Sequence, residues 1–238
     1  GRAGRYMNDG NFGITGEAQN INPDDIELIE NHKFEEINLI YWRNSNLNFK
    51  NKKELTASLD EKPGKQWLRR IHECEDEKVL KYIINNETEN VIKDDHQTLK
   101  LLWECCQIPD FVKKSYGKHL EVVKKVFNFL SKNNGRIPNI YFKEQLKPLD
   151  KLDGNVDSIS NRIANVRIWS YVANKSNWVE NNDYWIERTK YLEDKLSDRL
   201  HEELTKTFID KRASVLAKGL KQEISFKTEI IDNKKVKI

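Results

Sequence analysis

Apolar positions along this chain recur mostly every three or four residues, the spacing of one helical face, and alternate only near its two ends. Phe12 to Ala18 alternates apolar with small or polar residues and predicts a short strand. Asn22, Pro23, Asp24 and Asp25 then predict a helix start: a capping side chain, a preset φ, and two acids at the positive end of the dipole. Ile26, Ile29 and Leu28 are expected to face inward, with the helix stopping near His32. Residues 34–49 read as a mixed connector, and Lys50 to Pro63 is polar. From Trp67 to Asn85 the positions Trp67, Ile71, Leu80 and Ile83 predict a surface helix or two short ones. Leu99, Leu102, Trp103 and Cys106 mark the next, which Pro109 ends.

A helix over about Ser115 to Lys132 would bury Leu120, Val123, Phe127 and Leu130, with Gly135 as its C-cap. Lys113, Lys114, Lys118, Lys124, Lys125 and Lys132 ring its remaining faces. Another is predicted near Asn139 to Leu152, broken by Pro148. Past the Asp153-Gly154-Asn155 turn two long arms follow. The first runs from Val156 to Ala173 with Ile159, Ile163, Val166 and Trp169 or Tyr171; the second runs from Asp183 towards Leu216 with Trp185, Leu192, Leu196, Leu200, Leu204 and Phe208. At roughly 25 cal/mol per Å² neither stripe stays in water without cost, so the arms are expected to cover each other as a long helical hairpin. The tail alternates at Ile224, Phe226, Thr228 and Ile230 and resumes at Val236, predicting a β-hairpin about Asp232-Asn233.

Composition narrows the class. With 238 residues the chain can bury a sizeable core, and 41 basic against 38 acidic residues leave a net charge of only +3. Nucleic-acid binding therefore does not follow from charge alone, and any basic face must be local. Three cysteines, two of them adjacent at Cys105 and Cys106, make no disulfide framework and suit a reducing cytoplasm. No apolar run reaches membrane-spanning length, so a cytoplasmic protein without a membrane partner is expected. Cys105 and Cys106 with His72 and Cys74 lack metal-ligand spacing, and no metal site is assigned.

The sharpest chemistry lies in Gly1-Arg2-Ala3-Gly4-Arg5-Tyr6. Two guanidinium forks separated by small residues suit a loop that faces phosphate oxygens, and Gly1 and Gly4 remove side chains that would hold the backbone away. The segment resembles the end of the sixth motif of superfamily-two helicases. Further segments extend the likeness: Glu30-Asn31-His32-Lys33-Phe34, Trp42-Arg43-Asn44, Leu102 to Phe111, Leu149 to Asp157, Trp185 to Thr189 and Glu193 to Glu202. In that order they are similar to bacterial relatives of the mitochondrial degradosome RNA helicase.

The resemblance implies a mainly α fold. Residues 1–22 would carry the last loop and strand of the second RecA-like α/β domain, 23–152 a helical domain, 153–220 the long helical hairpin and 221–238 the β-hairpin tail. It implies Arg5 as the catalytic arginine finger and Gly1, Arg2, Gly4 and Arg5 as the contacts to ATP. The nucleotide's Mg²⁺ and the rest of the ATPase site would belong to upstream RecA-like domains. Implied partners are single-stranded RNA or DNA, those upstream domains and an exoribonuclease. Lys62-Pro63-Gly64-Lys65 is no Walker loop, and neither Asp60-Glu61 nor Asp76-Glu77 follows an apolar strand as a catalytic Asp-Glu box does. The chain by itself is accordingly expected to be inactive towards ATP. Arg162, Arg167, Arg188 and Arg212 with the helix lysines either line a nucleic-acid path or form a solvated face, and the tryptophans either stack on bases or fill the core. A non-catalytic helical RNA-binding or protein-docking module, or a structural remnant of a split gene, stands as the alternative.

Overall fold

The computed structural model describes residues 10, 22–31, 33, 37–86, 92–132, 135–221, 229–231 and 235–237, with side chains up to 215. The predicted strand Phe12 to Ala18 lies outside them, and so do the first nine residues. The described chain is mainly helical and divides into two compact units, residues 1–43 with 62–71, and residues 44–61 with 72–238.

In the first unit, helix α1 (Pro23–Glu30) begins as its sequence dictates, with Asn22 Oδ1 accepting from the Asp24 N–H at 3.3 Å. Ile26, Leu28 and Ile29 are expected inside, yet no residue of α1 is buried: Ile29 is half exposed and Ile26 and Leu28 are partly exposed. An eight-residue amphipathic helix can leave its apolar positions partly wet without losing its cap. Strand β1 (Ile40–Trp42) pairs in parallel with β2 (Leu68–Arg70), in the register Ile40↔Leu68, Tyr41↔Arg69 and Trp42↔Arg70. Trp67 C=O accepts from the Ile40 N–H at 3.0 Å, and the Ile71 N–H donates to Trp42 C=O at 2.9 Å. The helix expected from Trp67 therefore does not start there. Trp67 and Ile71 share helical spacing only by coincidence, because the backbone groups between them are committed to a ladder.

The second unit holds the core. Helix α2 (Lys52–Leu59) occupies the stretch that read only as polar. Asn51 Oδ1 caps the helix by accepting from the Glu54 N–H at 2.8 Å, and Asn51 Nδ2 donates to Glu54 Oε1 at 3.3 Å. Only Leu55 and Leu59 are buried, yet both are almost wholly removed from water. Helices α3 (Glu75–Asn86), α4 (His96–Cys106) and α5 (Tyr116–Lys132) follow, with Asp95 capping α4 through the Thr98 N–H at 2.9 Å. Gly135 takes a φ of +74°, open to glycine at little cost. Helix α6 (Asn139–Leu146) tightens into a 3₁₀ turn over Lys147–Leu149, where Pro148 no longer needs an intrahelical donor.

Helices α7 (Val156–Ala173) and α8 (Asn182–Lys221) make the most extensive helix pairing of the unit. They run antiparallel, since Asn182 bonds to Ala173 C=O at one end while Arg167 meets Glu193 further along. Ile159, Ile163, Val166 and Trp169 face Trp185, Leu192 and Leu196 within one continuous core that reaches back to Leu55. Phe142 ties it together, its ring centroid 5.3 Å from Trp169 and 4.7 Å from Trp185. Leu204 and Phe208, expected in the buried stripe, are exposed. The reason is length: α7 spans about 27 Å and α8 about 60 Å, so beyond Leu200 no α7 remains to cover the stripe. Strands β3 (Glu229–Ile231) and β4 (Lys235–Lys237) pair antiparallel in the register Ile230↔Val236.

Candidate functional site

Gly1, Arg2, Gly4 and Arg5 lie outside the described residues, so the structure places none of them. It does place the other cations singled out in the sequence. Arg188 Nη2 donates to Asp150 Oδ2 at 2.7 Å, and Lys195 Nζ reaches Asp150 Oδ1 at 3.2 Å. Arg162 Nη1 donates to the Lys151 and Asp153 carbonyls, and Arg199 Nε to the Leu152 carbonyl. Four cations of α7 and α8 thus hold one short segment after the 3₁₀ turn. Burial works against the Asp150 charge, but Lys195 and Arg188 outweigh it and keep the carboxyl below the usual range. Arg167 pairs with Glu193 at 2.7 Å, and Arg212 lies 4.7 Å over the Phe208 ring. Arg162, Arg167 and Arg188 are committed to internal partners, in geometry that orders α7 against α8.

Lys114 and Lys118 stand exposed at the rim of a cavity of about 270 Å³ between the turn after α4, the start of α5 and the middle of α7. The turn is shaped by Asp110, whose Oδ1 accepts from the Val112 and Lys113 N–H groups at 3.1 and 2.9 Å. Lys113 itself sits at φ +50°, the left-handed region. Val112, Val122 and Ile168 supply apolar wall; His119, Asn161 and Asn165 supply polar wall. His119 is 7 % exposed, and burial holds its imidazole towards the neutral form against the opposing pull of Asp110 and Glu75. Its Nδ1 and the Oδ1 of Asn161 are sheltered from solvent without a hydrogen-bond partner. Two orphaned polar atoms in the walls of one cavity are unusual, since buried polar groups are nearly always satisfied. Asn165 is better served, donating to Asn161 C=O at 2.8 Å.

Neither His119 nor Asn161 stands at a spacing in the sequence that marks it as functional. The signal that existed is position: His119 falls in register with Val123, Val126 and Leu130 on the inward face of α5. The cysteines offer no site. Cys105 and Cys106 are buried, and desolvation pushes both thiols well up, which removes thiolate reactivity. Among the described residues no cluster of three or more His, Cys, Asp or Glu could hold a metal ion. Of the tryptophans, Trp103, Trp169, Trp178 and Trp185 are core, whereas Trp67 is half exposed with Lys65 Nζ 5.1 Å from its ring centre. No described helix is long and apolar enough to cross a membrane. Comparison of the chain with known protein families, characterised proteins and solved structures finds no match.

Proposed function

We propose that the chain is the C-terminal part of an ATP-dependent superfamily-two helicase of the degradosome type, acting on single-stranded RNA or DNA in the cytoplasm. The observation that carries this reading is Gly1-Arg2-Ala3-Gly4-Arg5 with the ordered run of further likenesses down to Glu202. Arg5 neutralises the charge that develops on the transferring γ-phosphoryl group, and Arg2 helps to hold the phosphate and close the cleft between RecA-like domains. Gly1 and Gly4 let the backbone approach. ATP and its Mg²⁺ are held chiefly by a Walker lysine and a metal-holding carboxylate, groups that a RecA-like portion outside these residues supplies. Residues 1–22 close the second RecA-like domain, the helical body and the α7–α8 arms follow, and an exoribonuclease docks on the assembly. The test is complementation: joined to a RecA-like pair, the chain restores RNA-stimulated ATP hydrolysis, and alone it gives none above background.

One observation favours a second reading, a non-catalytic helical RNA-binding or protein-docking module. Leu204, Phe208, Ile209 and Val215 stand exposed along α8 beyond the reach of α7. Tight binding of the exoribonuclease without any restored hydrolysis selects that reading.

A further inference from the structure

The cavity between the Asp110 turn, α5 and α7 has an unused set of groups whose chemistry defines a guest. From these we infer that it binds one nucleotide, an amine-bearing flat ring with a phosphate attached, either free or as a single unit of a strand.

The phosphate end is set by the start of α5. Lys114 and Lys118 flank it, no acidic residue occupies the first turn of α5, and the first-turn N–H groups have no acceptor inside the helix. Asp110 is the opposing charge in the lining, but its Oδ1 is already engaged by two backbone N–H groups, and the two lysines leave a positive excess. The ring end is set by the walls. Val122 of α5 and Ile168 of α7 offer apolar surface to a flat face. Asn161 Oδ1 lacks a donor, which an exocyclic amine or ring N–H supplies. The neutral His119 ring offers one donor and one acceptor, and its Nδ1 is unused. Both orphaned atoms are sheltered from solvent and belong to residues that line the cavity. A turn about the terminal torsion of either side chain, which is broad and roughly two-fold for Asn and His, brings them to a guest.

Size agrees. The cavity of about 270 Å³ holds the liquid volume of roughly nine waters, enough for a base with its phosphate at the exposed rim. A carboxylate or inorganic phosphate would engage the lysines and leave Asn161 and the apolar walls unfilled. An uncharged ring would leave the helix start unused. The inference requires none of Gly1, Arg2, Gly4 or Arg5, and it stands or falls separately from the ATPase reading.

The experiment uses the full chain labelled with ¹⁵N. Adenosine 5′-monophosphate is titrated in one arm and an oligoadenylate in a second, while the imidazole signals of His119 and the side-chain amide of Asn161 are followed and the Kd is taken by calorimetry. Saturable shifts of both side chains are expected, with Lys118→Gln and Asn161→Ala each weakening binding by about tenfold. Saturation by the mononucleotide assigns a free ligand; saturation by the oligonucleotide alone assigns one unit of a strand. Should Asn161→Ala alter the far-UV circular dichroism, Lys118→Gln at the exposed rim decides. The inference is overturned if neither titrant moves His119 and Asn161, if inorganic phosphate moves them equally, or if Lys118→Gln leaves the Kd unchanged.

Discussion

Glu77 presents a direct test of how the helical body is held together. Its side chain is 2 % exposed, and Lys81 one turn along α3 places Nζ 2.9 Å from its Oε1. Lys81 also reaches Glu73 at 3.0 Å and Asp60 at 3.2 Å, so one ammonium serves three carboxylates. Burial by itself would discourage the Lys81 charge; the hydrogen bonds it donates to Glu77, Glu73 and Asp60 overcome that and push its pKa above the ordinary lysine range. Replacing Lys81 by Met keeps most of the stem's packing and takes the Lys81 ammonium away from the buried Glu77 carboxylate. Stripping one partner from a buried pair costs up to about 3–5 kcal/mol, and about 3 kcal/mol is the upper bound here because Lys81 retains 27 % side-chain exposure. For a body of this size 3 kcal/mol corresponds to a fall in Tm of about 6–12 °C. The assay is urea unfolding followed by circular dichroism, read as a shift of midpoint at constant slope. Asp60→Asn and Glu73→Gln, which remove exposed partners, should each cost under about 1 kcal/mol, and Glu77→Gln should recover much of the loss in the Lys81→Met background. A raised lysine pKa stabilises below its unfolded value and is lost above it. The gap between the native chain and Lys81→Met should therefore be flat from neutral pH to about 9 and shrink above about 10.4. A Lys81→Met variant within about 0.5 kcal/mol of the native chain would refute the argument.

Three further outcomes follow. Asp150→Asn should cost about 1 kcal/mol after allowance for its partly exposed partners; because the carboxyl is held low, that cost should begin to shrink as pH falls below about 3.9 and be lost only at still lower pH, in urea titrations at several pH values. Burial depresses the His119 pKa, so the unfolded chain takes up its proton first, and stability should drop as pH falls below about 6.5, a drop that His119→Gln should flatten. Under native conditions a disulfide reagent should titrate Cys74 alone, with Cys105 and Cys106 reacting only on unfolding; fast reaction of all three would contradict their burial.

The long helices were legible because their evidence is redundant. Leu120, Val123, Phe127 and Leu130 repeat one face over about three turns, and Ile159 to Trp169 do the same on α7. The three-residue strands β1 and β2 carry too few positions for any period to show, and Trp67 and Ile71 counterfeited a helix. Helix α2 hides in polar sequence because its stability rests on the Asn51–Glu54 cap and two leucines. The stripe on α8 was legible but its burial was not, since exposure beyond Leu200 depends on where α7 begins, a fact of tertiary pairing. Sequence likewise named the arginines as a possible nucleic-acid path, whereas the fold assigns Arg162 and Arg188 to the Leu149–Asp153 segment. The cavity escaped notice because Asn161 carries no periodic signal and acquires meaning only opposite His119.

The most direct measurement of the proposed function is steady-state ATP hydrolysis by the chain joined to a RecA-like helicase pair, with and without single-stranded RNA. RNA-stimulated turnover that falls by about 10³-fold or more with Arg5→Ala, while ATP binding persists, is the predicted result. Turnover indifferent to Arg5→Ala, or hydrolysis by the 238 residues alone, would contradict it.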